Sequence, residues 1–410
     1  MPSRLAIAAV LVGGVAACGV TPPPRPSDGT PASATDSTEP SREPATPAPS
    51  RRIAGDLGRE IEIGTLDPEW TAASLEVASD GEAVIFSSGV ADGAGAEGAP
   101  DLWRYRPGAD APELVWRNPR RDRALVRIGG EFGTWAFVDS GIHGERAWDL
   151  WLLPAADTEP ILLDAHPGDE AVSSLVPSFA IHQGQIAWTA FDIGPRGPVS
   201  QLLYARAPGW EPVLVAERDA LEAELWLPSL RDTELAYCEV IYSADRSSDE
   251  RRVYLANVRT PEVPPRRLDT SGQATMPLLL LNGGIVWKQA DAGFNMFNWG
   301  HLFRYDEASG EVRSLPTRPQ EYVNYPSAGT RFLAAWGADS TALGVYDFDL
   351  DNTRLIDRLA SDGDEHMLRP HISGDLLVWT HAIVDGLGNG PPAQIRYAFL
   401  PPAGSDRGRD

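Results

Sequence analysis

One phrase recurs seven times along the chain, and its spacing limits the fold more than any other feature. A small polar turn is followed by a short apolar strand that carries an aromatic ring. It reads "ASDGEAVIF" at 78–86, "IGGEFGTWAF" at 128–137, "IHQGQIAWTA" at 181–190 and "RDTELAYCE" at 231–239. It returns as "LNGGIVWKQ" at 281–289, "AGTRFLAAWG" at 328–337 and "ISGDLLVWTH" at 372–381. The aromatics are Phe86, Trp135, Trp188, Tyr237, Trp287, Trp336 and Trp379, separated by 49, 53, 49, 50, 49 and 43 residues. A repeat of about 50 residues built from short strands marks a radial or solenoidal array, because one such unit cannot bury its apolar face alone.

Each phrase is followed by a strand with its own aromatic: "DLWRY" 101–105, "DLWLL" 149–153, "LLYA" 202–205, "RVYLA" 252–256, "HLFRYD" 301–306, "GVYDF" 344–348 and "QIRYAF" 394–399. A short outer strand then follows six of them: "ELVW" 113–116, "PILL" 160–163, "PVLV" 212–215, "RRL" 266–268, "EVRSL" 311–315 and "TRLID" 353–357. The seventh repeat lacks one, since only "LPPAGSDRGRD" remains after Phe399. An orphan strand, "REIEIGT" at 59–65, precedes the first repeat. Pairing it with the last repeat closes a ring and leaves no sheet edge between repeats. The expectation is an all-β, seven-bladed β-propeller of four-stranded blades over residues 51–402. The N-terminal strand completes the last blade, and 403–410 form a tail. The third-strand aromatics are expected to pack on the neighbouring blade as core, each burying on the order of 150–250 Å².

The first repeat also resembles the TolB-type propeller repeat. Ser79, Asp80, Gly81, Ile85, Phe86, Asp101, Leu102 and Trp103 occupy that family's Ser-x-Asp-Gly turn, Ile-Ala-Phe strand and Asp-Leu-Trp strand, with one residue fewer before the Asp-Gly. Later repeats keep the rhythm and lose the full turn signature. The resemblance covers 55–400 and implies the propeller fold and a non-enzymatic role in protein contacts at a bacterial envelope. TolB's separate N-terminal domain has no match here, and a fold of this kind hosts many unrelated activities.

The N-terminus reads as an address. Arg4 precedes an apolar run, Leu5–Ala17, too short to span a bilayer and of signal-peptide length. Val15-Ala16-Ala17-Cys18 resembles the bacterial lipobox, which implies cleavage after residue 17 and lipidation of Cys18. Acyl chains anchor by about 0.8 kcal/mol per buried methylene. Residues 19–50 are dominated by Pro, Ser, Thr and Ala, with no aromatic residue, Leu or Ile. They cannot bury enough surface to offset ordering. As a tether they reach on the order of 100 Å when polyproline-like and roughly 30 Å as a coil. The expected domains are therefore a signal peptide (1–17), an acylated cysteine and tether (18–50) and the propeller. The expected location is the extracytoplasmic cell envelope, at the outer membrane in a Gram-negative cell because Gly19 replaces the aspartate of inner-membrane retention.

The net charge is −23, from 58 acidic and 35 basic residues. Such a surface repels phosphate backbones and is not expected to bind nucleic acid. Its membrane contact is expected through the lipid anchor alone. Lys288 is the only lysine, read here as coding bias toward arginine. Cys238, on the "LAYCEV" strand, reads as a buried, inert thiol.

A site is sought on the loops that join the second and third strands, since a rigid scaffold presents function on its loops. They are "SSGVADGAGAEGAP" 87–100, "VDSGIHGERAW" 138–148, "DIGPRGPVSQ" 192–201, "IYSADRSSDER" 241–251, "KQADAGFNMFNWGH" 288–301 and "HAIVDGLGNGPPAQ" 381–394. Phe294, Met296, Phe297 and Trp299 lie in a stretch whose only charge is Asp291, and are the candidate contacts for an envelope protein or a saccharide. Of seven histidines, all but His182 are placed on or near this side. No Gly-x-Ser-x-Gly, His-Glu-x-x-His or phosphate-binding Gly-rich loop occurs. Asp347, Asp349 and Asp351 alternate as in the opening of a calcium loop, but Asn352 and Arg358 stand where an EF-hand needs Gly and Glu. No cofactor is expected, calcium at this run being the one candidate. The sequence thus points to a lipid-anchored, monomeric, non-enzymatic protein-binding or scaffold propeller. A polysaccharide lyase or hydrolase, or a saccharide-binding module, is the alternative.

Overall fold

The strand order follows the sequence four at a time. A computed structural model describes residues 57, 61–66, 76–88, 101–120, 123–141, 147–155, 158–167, 176–244, 249–269, 272–289, 301–315, 324–336, 342–358, 365–383 and 394–402. Blade 1 holds β2 (Val77–Ser79), β3 (Val84–Ser88), β4 (Asp101–Tyr105) and β5 (Glu113–Trp116). Blade 2 holds β6 (Arg123–Glu131), β7 (Thr134–Gly141), β8 (Trp148–Leu153) and β9 (Ile161–His166). Blade 3 holds β10 (Phe179–His182), β11 (Gln185–Gly194), β12 (Gly197–Arg206) and β13 (Val213–Asp219). Blade 4 holds β14 (Ala223–Arg231), β15 (Glu234–Tyr242), β16 (Asp249–Asn257) and β17 (Arg266–Arg267). Blade 5 holds β18 (Ala274–Leu279), β19 (Ile285–Gln289), β20 (His301–Tyr305) and β21 (Val312–Ser314). Blade 6 holds β22 (Asn324–Ala328), β23 (Phe332–Trp336), β24 (Ala342–Asp347) and β25 (Asn352–Arg358). Blade 7 holds β26 (Glu365–Ser373), β27 (Leu376–Ile383) and β28 (Gln394–Phe399), and its fourth strand is β1 (Ile63–Thr65). All seven sheets are antiparallel, and no α-helix occurs among the described residues. The innermost strands touch in succession and β26 returns to β2, so the chain is a closed seven-bladed β-propeller.

The aromatics of the second strands form the deepest layer. Phe86, Trp135, Trp188, Tyr237 and Trp379 are wholly buried and Trp287 nearly so. Three of the indoles donate to the preceding blade: Trp135 Nε1 to Asp80 Oδ2 at 3.0 Å, Trp188 Nε1 to Asp164 Oδ2 at 2.8 Å and Trp379 Nε1 to Asp357 Oδ2 at 3.2 Å. The third-strand aromatics do enter inter-blade clusters, as expected, but lie nearer the rim. Tyr204 and Tyr346 are buried there, while Trp103, Trp151, Tyr254, Phe303 and Tyr397 are half-buried. The strand-two side chains face the middle of each blade interface, which is why they and not their neighbours are sealed.

A second device joins the innermost strands. Ser178 Oγ accepts from Leu227 N, Ser229 Oγ from Leu279 N and Ser327 Oγ from Ile372 N, at 2.9, 2.9 and 3.0 Å, each across a blade junction. His371 Nδ1 accepts from Ser79 N at 3.0 Å in the same way. Each of these acceptors follows a proline (Pro177, Pro228, Pro326 and Pro370). Three of the prolines sit where the pairing register slips. Proline is tolerated there because the innermost strand is an edge strand and the bulge uses no ladder N–H.

The Ser79-Asp80-Gly81 turn of blade 1 has a physical account of the same kind. Asp80 Oδ1 accepts from Glu82 N and Ala83 N at 3.0 and 2.7 Å, Oδ2 takes the Trp135 indole, and the Asp80 carbonyl accepts from Phe132 N at 2.6 Å. Gly81 adopts φ +96°, a left-handed conformation that glycine adopts without penalty.

Closure rests on β1. Ile63 pairs with Ala398, Gly64 with Tyr397 and Thr65 with Arg396, and Leu66 N donates to Ile395 O at 2.9 Å. A Cβ on Gly64 would lie 2.2 Å from Tyr397 Cζ, so only glycine fits beneath that ring. Near this seam Arg331 and Asp347, both fully buried, pair at 2.9 and 2.7 Å, and Arg331 Nη1 donates to the Pro402 carbonyl at 3.1 Å. Gly64→Val is expected to lower unfolding stability by about 1–3 kcal/mol through overpacking. Gly64→Val/Tyr397→Ala is expected to regain much of that loss. Urea midpoints of the three proteins check it.

Candidate functional site

The connections between second and third strands all leave one end of the ring, but they are unequal. They span 89–100, 142–147, 195–196, 243–248, 290–300, 337–341 and 384–393. Those of blades 1, 5 and 7 are the long ones. The expected loop at 192–201 is instead a hairpin: β11 and β12 pair from Gln185↔Arg206 out to Gly194↔Gly197, leaving Pro195-Arg196 as its turn. Gly197 at φ +137° makes that turn accessible. On the opposite face the links at 132–133, 183–184, 232–233 and 374–375 are two residues long.

Cys18, Phe294, Met296, Phe297 and Trp299 lie outside the described residues, as do His143 and the segments 1–50 and 403–410. The described histidines are scattered. His166 ends β9 in blade 2, His301 opens β20 in blade 5, and His381 lies near the end of β27 in blade 7. His371 belongs toward the other end of its strand, near the Gly374-Asp375 turn, where it accepts the Ser79 N–H. Burial holds its imidazole down to about 4, with Asp80 acting in the opposite sense. His182 sits in its turn as expected, with Nδ1 3.0 Å from Glu131 Oε1. Among the described residues no three His, Cys, Asp or Glu side chains gather as a metal site.

The loop-face ends of the strands form a charged but internally matched platform. In blade 2, Arg123 Nη1 lies 2.7 Å from Asp139 Oδ1 and 3.2 Å from Asp149 Oδ2. Arg120 approaches Asp139 at 3.2 Å, pairs with Asp149, and lies over the Trp151 ring at 5.6 Å. Burial pushes the Asp139 carboxyl above its ordinary range, against the pull of Arg123 and Arg120. Arg218 pairs with the buried Glu239 across the junction of blades 3 and 4. Cys238 is buried, contacts the Ala274 carbonyl at 3.5 Å, and its thiol is pushed up to about 12 by burial, which agrees with an inert cysteine.

Between blades 2 and 3 lies a cavity of about 350 Å³ that the sequence did not reveal. Asp164, His166, Asp192 and Gln201 supply its polar groups, and Phe191, Ile193 and Leu203 its apolar wall. Asp164 takes the Trp188 indole. Burial raises its carboxyl above the usual range, and the charge of Asp192 adds to the rise. His166 is buried and stacks on Trp148 with centroids 5.8 Å apart. The blade 2 residues Asp164 and His166 lie 25 or more positions from the blade 3 residues Phe191, Asp192, Ile193, Gln201 and Leu203, and the long β11–β12 hairpin brings Asp192 and Ile193 to the site.

The alternating aspartates lie on the opposite face, at the turn after β24. Asp347 is held by Arg331, and its Oδ1 accepts from Asp349 N and Leu350 N at 3.0 and 3.3 Å. Asp349 lies 3.5 Å from Arg331, and Asp351 pairs with Arg313 at 2.9 Å. The carboxylates thus turn toward arginines.

No protein-family model matches the sequence, and no curated protein matches it. Solved structures share the fold. The β-propeller domain of the Trilobed protease from Pyrococcus furiosus, described as having an open velcro topology, is 10% identical, with 75% of this chain and 90% of that one covered at a TM-score of 0.54. A structure from a study of two prolyl endopeptidases is 12% identical over 75% of this chain and 44% of that one, with a TM-score of 0.53. An oligogalacturonate lyase in complex with manganese is 12% identical over 83% of this chain and 96% of that one, with a TM-score of 0.52. At such identities the likeness shows the propeller fold and carries no activity across.

His371 yields a prediction on pH. Its folded pKa of about 4 lies below the ordinary value near 6.5, so the unfolded chain binds the extra proton first. The stability it contributes is present above pH about 6.5 and is lost as pH falls toward 4. His371→Gln is expected to show a shallower fall over that window than the parent, measured as denaturant midpoints at stepped pH.

Proposed function

We propose that the protein is a lipid-anchored, extracytoplasmic propeller that binds a protein partner in the bacterial cell envelope and performs no chemistry of its own. The observation that carries this reading is the asymmetry of the ring. One face bears the long connections 89–100, 290–300 and 384–393, in a ring whose neighbouring strand ends in blades 2, 3 and 4 are fixed by ion pairs, while the other has two-residue links at 132–133, 183–184, 232–233 and 374–375. A rigid platform under variable loops is the usual build of a recognition surface. The apolar run Phe294, Met296, Phe297 and Trp299 falls in one of those connections, and a net charge of −23 favours a partner with a basic or neutral contact surface. The TolB-like turn of blade 1 and the lipobox ending in Cys18 support the envelope setting.

A second reading, a saccharide-binding or saccharide-cleaving propeller, is supported by the cavity between blades 2 and 3. Its paired carboxylates, amide and aromatic wall are groups that suit a sugar's hydroxyls and ring face.

The anchoring test is Cys18→Ser, expected to move the protein from the membrane fraction to the soluble fraction and to abolish incorporation of labelled fatty acid. The partner test is affinity capture from the native envelope with the full chain and with a variant whose residues 290–300 are replaced by a Gly-Ser linker. Capture of one envelope protein by the parent, lost in the variant, is the expected result. Capture of none, with retention on acidic or neutral glycan arrays, would overturn the protein-partner reading in favour of the second.

A further inference from the structure

Three polar side chains meet where the innermost strands of blades 2, 3 and 4 reach the short-turn face. Glu131 ends β6, His182 ends β10, and Asp232 follows the last residue of β14. They stand 51 and 50 residues apart, one repeat each, so the ring itself brings them together. The side chains of His182 and Glu131 are 4% and 11% exposed, whereas that of Asp232 is 71% exposed.

The imidazole is oriented from one side. His182 Nδ1 lies 3.0 Å from Glu131 Oε1, and Glu131 Oε2 accepts from Gln183 N at 2.5 Å. A carboxylate accepts hydrogen bonds and does not donate them, so the proton of this pair sits on Nδ1. In the neutral ring that leaves a lone pair on Nε2. Nε2 is buried without a hydrogen-bond partner, and the group ahead of it is again a carboxylate, with Asp232 Oδ1 at 3.9 Å. Two acceptors therefore face each other across a gap too wide for a hydrogen bond. Among the described residues no arginine or lysine pairs with Glu131 or Asp232. Arg231, next to Asp232 in sequence, spends its donors on Glu234, Glu307 and the carbonyls of Leu280 and Gly284.

A histidine that binds a metal through one ring nitrogen usually donates its other N–H to a carboxylate, which sets the tautomer and the ring plane. Glu131 and His182 stand in that relation. Zinc takes imidazole nitrogen at about 2.0–2.1 Å and carboxylate oxygen at about 2.0–2.2 Å, and a tetrahedral angle then sets the two atoms about 3.4 Å apart. Asp232 needs to move by only about half an ångström to meet that geometry, and its exposed side chain can do so.

We propose that His182 and Asp232 hold a divalent transition-metal ion of the zinc type on the short-turn face, with Glu131 as the positioning residue behind His182. Two protein ligands leave the remaining coordination positions to water. A mixed nitrogen and oxygen donor set suits zinc or cobalt, whereas calcium and magnesium take oxygen ligands. The ion joins the innermost strands of blades 3 and 4. It lies on the face opposite the long connections, so it stands apart from the partner surface proposed above.

The test uses the full chain, stripped with a chelator and dialysed. Zinc is the titrant in calorimetry, calcium and magnesium are the comparison arms, and cobalt reports coordination through its visible absorption. The expected result is a saturable zinc event with a zinc-dependent rise in Tm, and no such event with calcium or magnesium. Asp232→Asn keeps a residue suited to the left-handed turn, where φ is +51°, and is expected to lose the cobalt bands and at least tenfold in zinc affinity. Glu131→Gln is expected to weaken zinc roughly 10–100-fold while the cobalt bands persist at saturation. Should Glu131→Gln not fold, the exposed Asp232→Asn decides alone. Absence of saturable zinc binding, or equal zinc affinity in Asp232→Asn, would overturn the site. A Tm that rises on mild acidification, without zinc binding, would assign the gap to a proton and overturn it equally.

Discussion

The ring is held by what happens between blades, and the central interaction there is the aromatic of each second strand. A four-stranded blade is a twisted sheet with two apolar faces, and neither face is stable in water. Trp135, Trp188, Tyr237, Trp287 and Trp379 fill the space between one blade and the next. The indoles of Trp135, Trp188 and Trp379 also name the neighbour, since each donates to an aspartate of the preceding blade. A buried indole N–H usually finds a partner, and that of Trp287 is an exception. Placing that partner on the preceding blade turns a non-directional apolar contact into a fixed angular step. Three of the seven junctions are fixed in this way, and the last blade, with three strands from its own repeat, is completed by β1.

This is why the fold was legible. The period of the strand-two aromatics, the missing outer strand after Phe399 and the orphan strand near 63 are all consequences of the blade interface, and all can be read as spacing. The outer strands were placed within a few residues for the same reason. What spacing could not show was where strands run on past their usual length. The segment 192–201 carries Gly, Pro and Arg, which mark a loop, yet Gly194 and Gly197 serve a tight hairpin and the strands continue to meet it. The cavity that follows from this is invisible in the sequence, because Asp164, His166, Asp192 and Gln201 share no motif. His371 illustrates the opposite error. The sequence places it on or near the loop side, whereas it lies three residues before Gly374, just past the Pro370 bulge, and accepts from blade 1. The recurring proline before that acceptor was present at 177, 228, 326 and 370, and was a readable signal of the junction.

The two faces of the ring divide labour in electrostatic terms. On the short-turn face, carboxylates cap turns or meet arginines: Asp80, Asp347 and Asp351 each have such a structural partner. On the loop face, the Arg120, Arg123, Asp139 and Asp149 cluster does the same for blade 2. Surface pairs of this type add little stability individually, but buried ones fix geometry because breaking one strands a charge. The platform is stiff for that reason, and specificity is left to connections whose sequences differ from blade to blade.

Two buried arginines show how matched and unmatched charge differ in meaning. Arg331 and Arg251 both sit in the interior. Arg331 reaches both oxygens of Asp347 and a backbone carbonyl across the closing seam, so its burial is explained by the contacts it makes. Arg251 instead donates Nη2 to Asp249 at 2.6 Å and leaves Nε and Nη1 buried without a hydrogen-bond partner, so its burial costs stability that the burial of Arg331 does not.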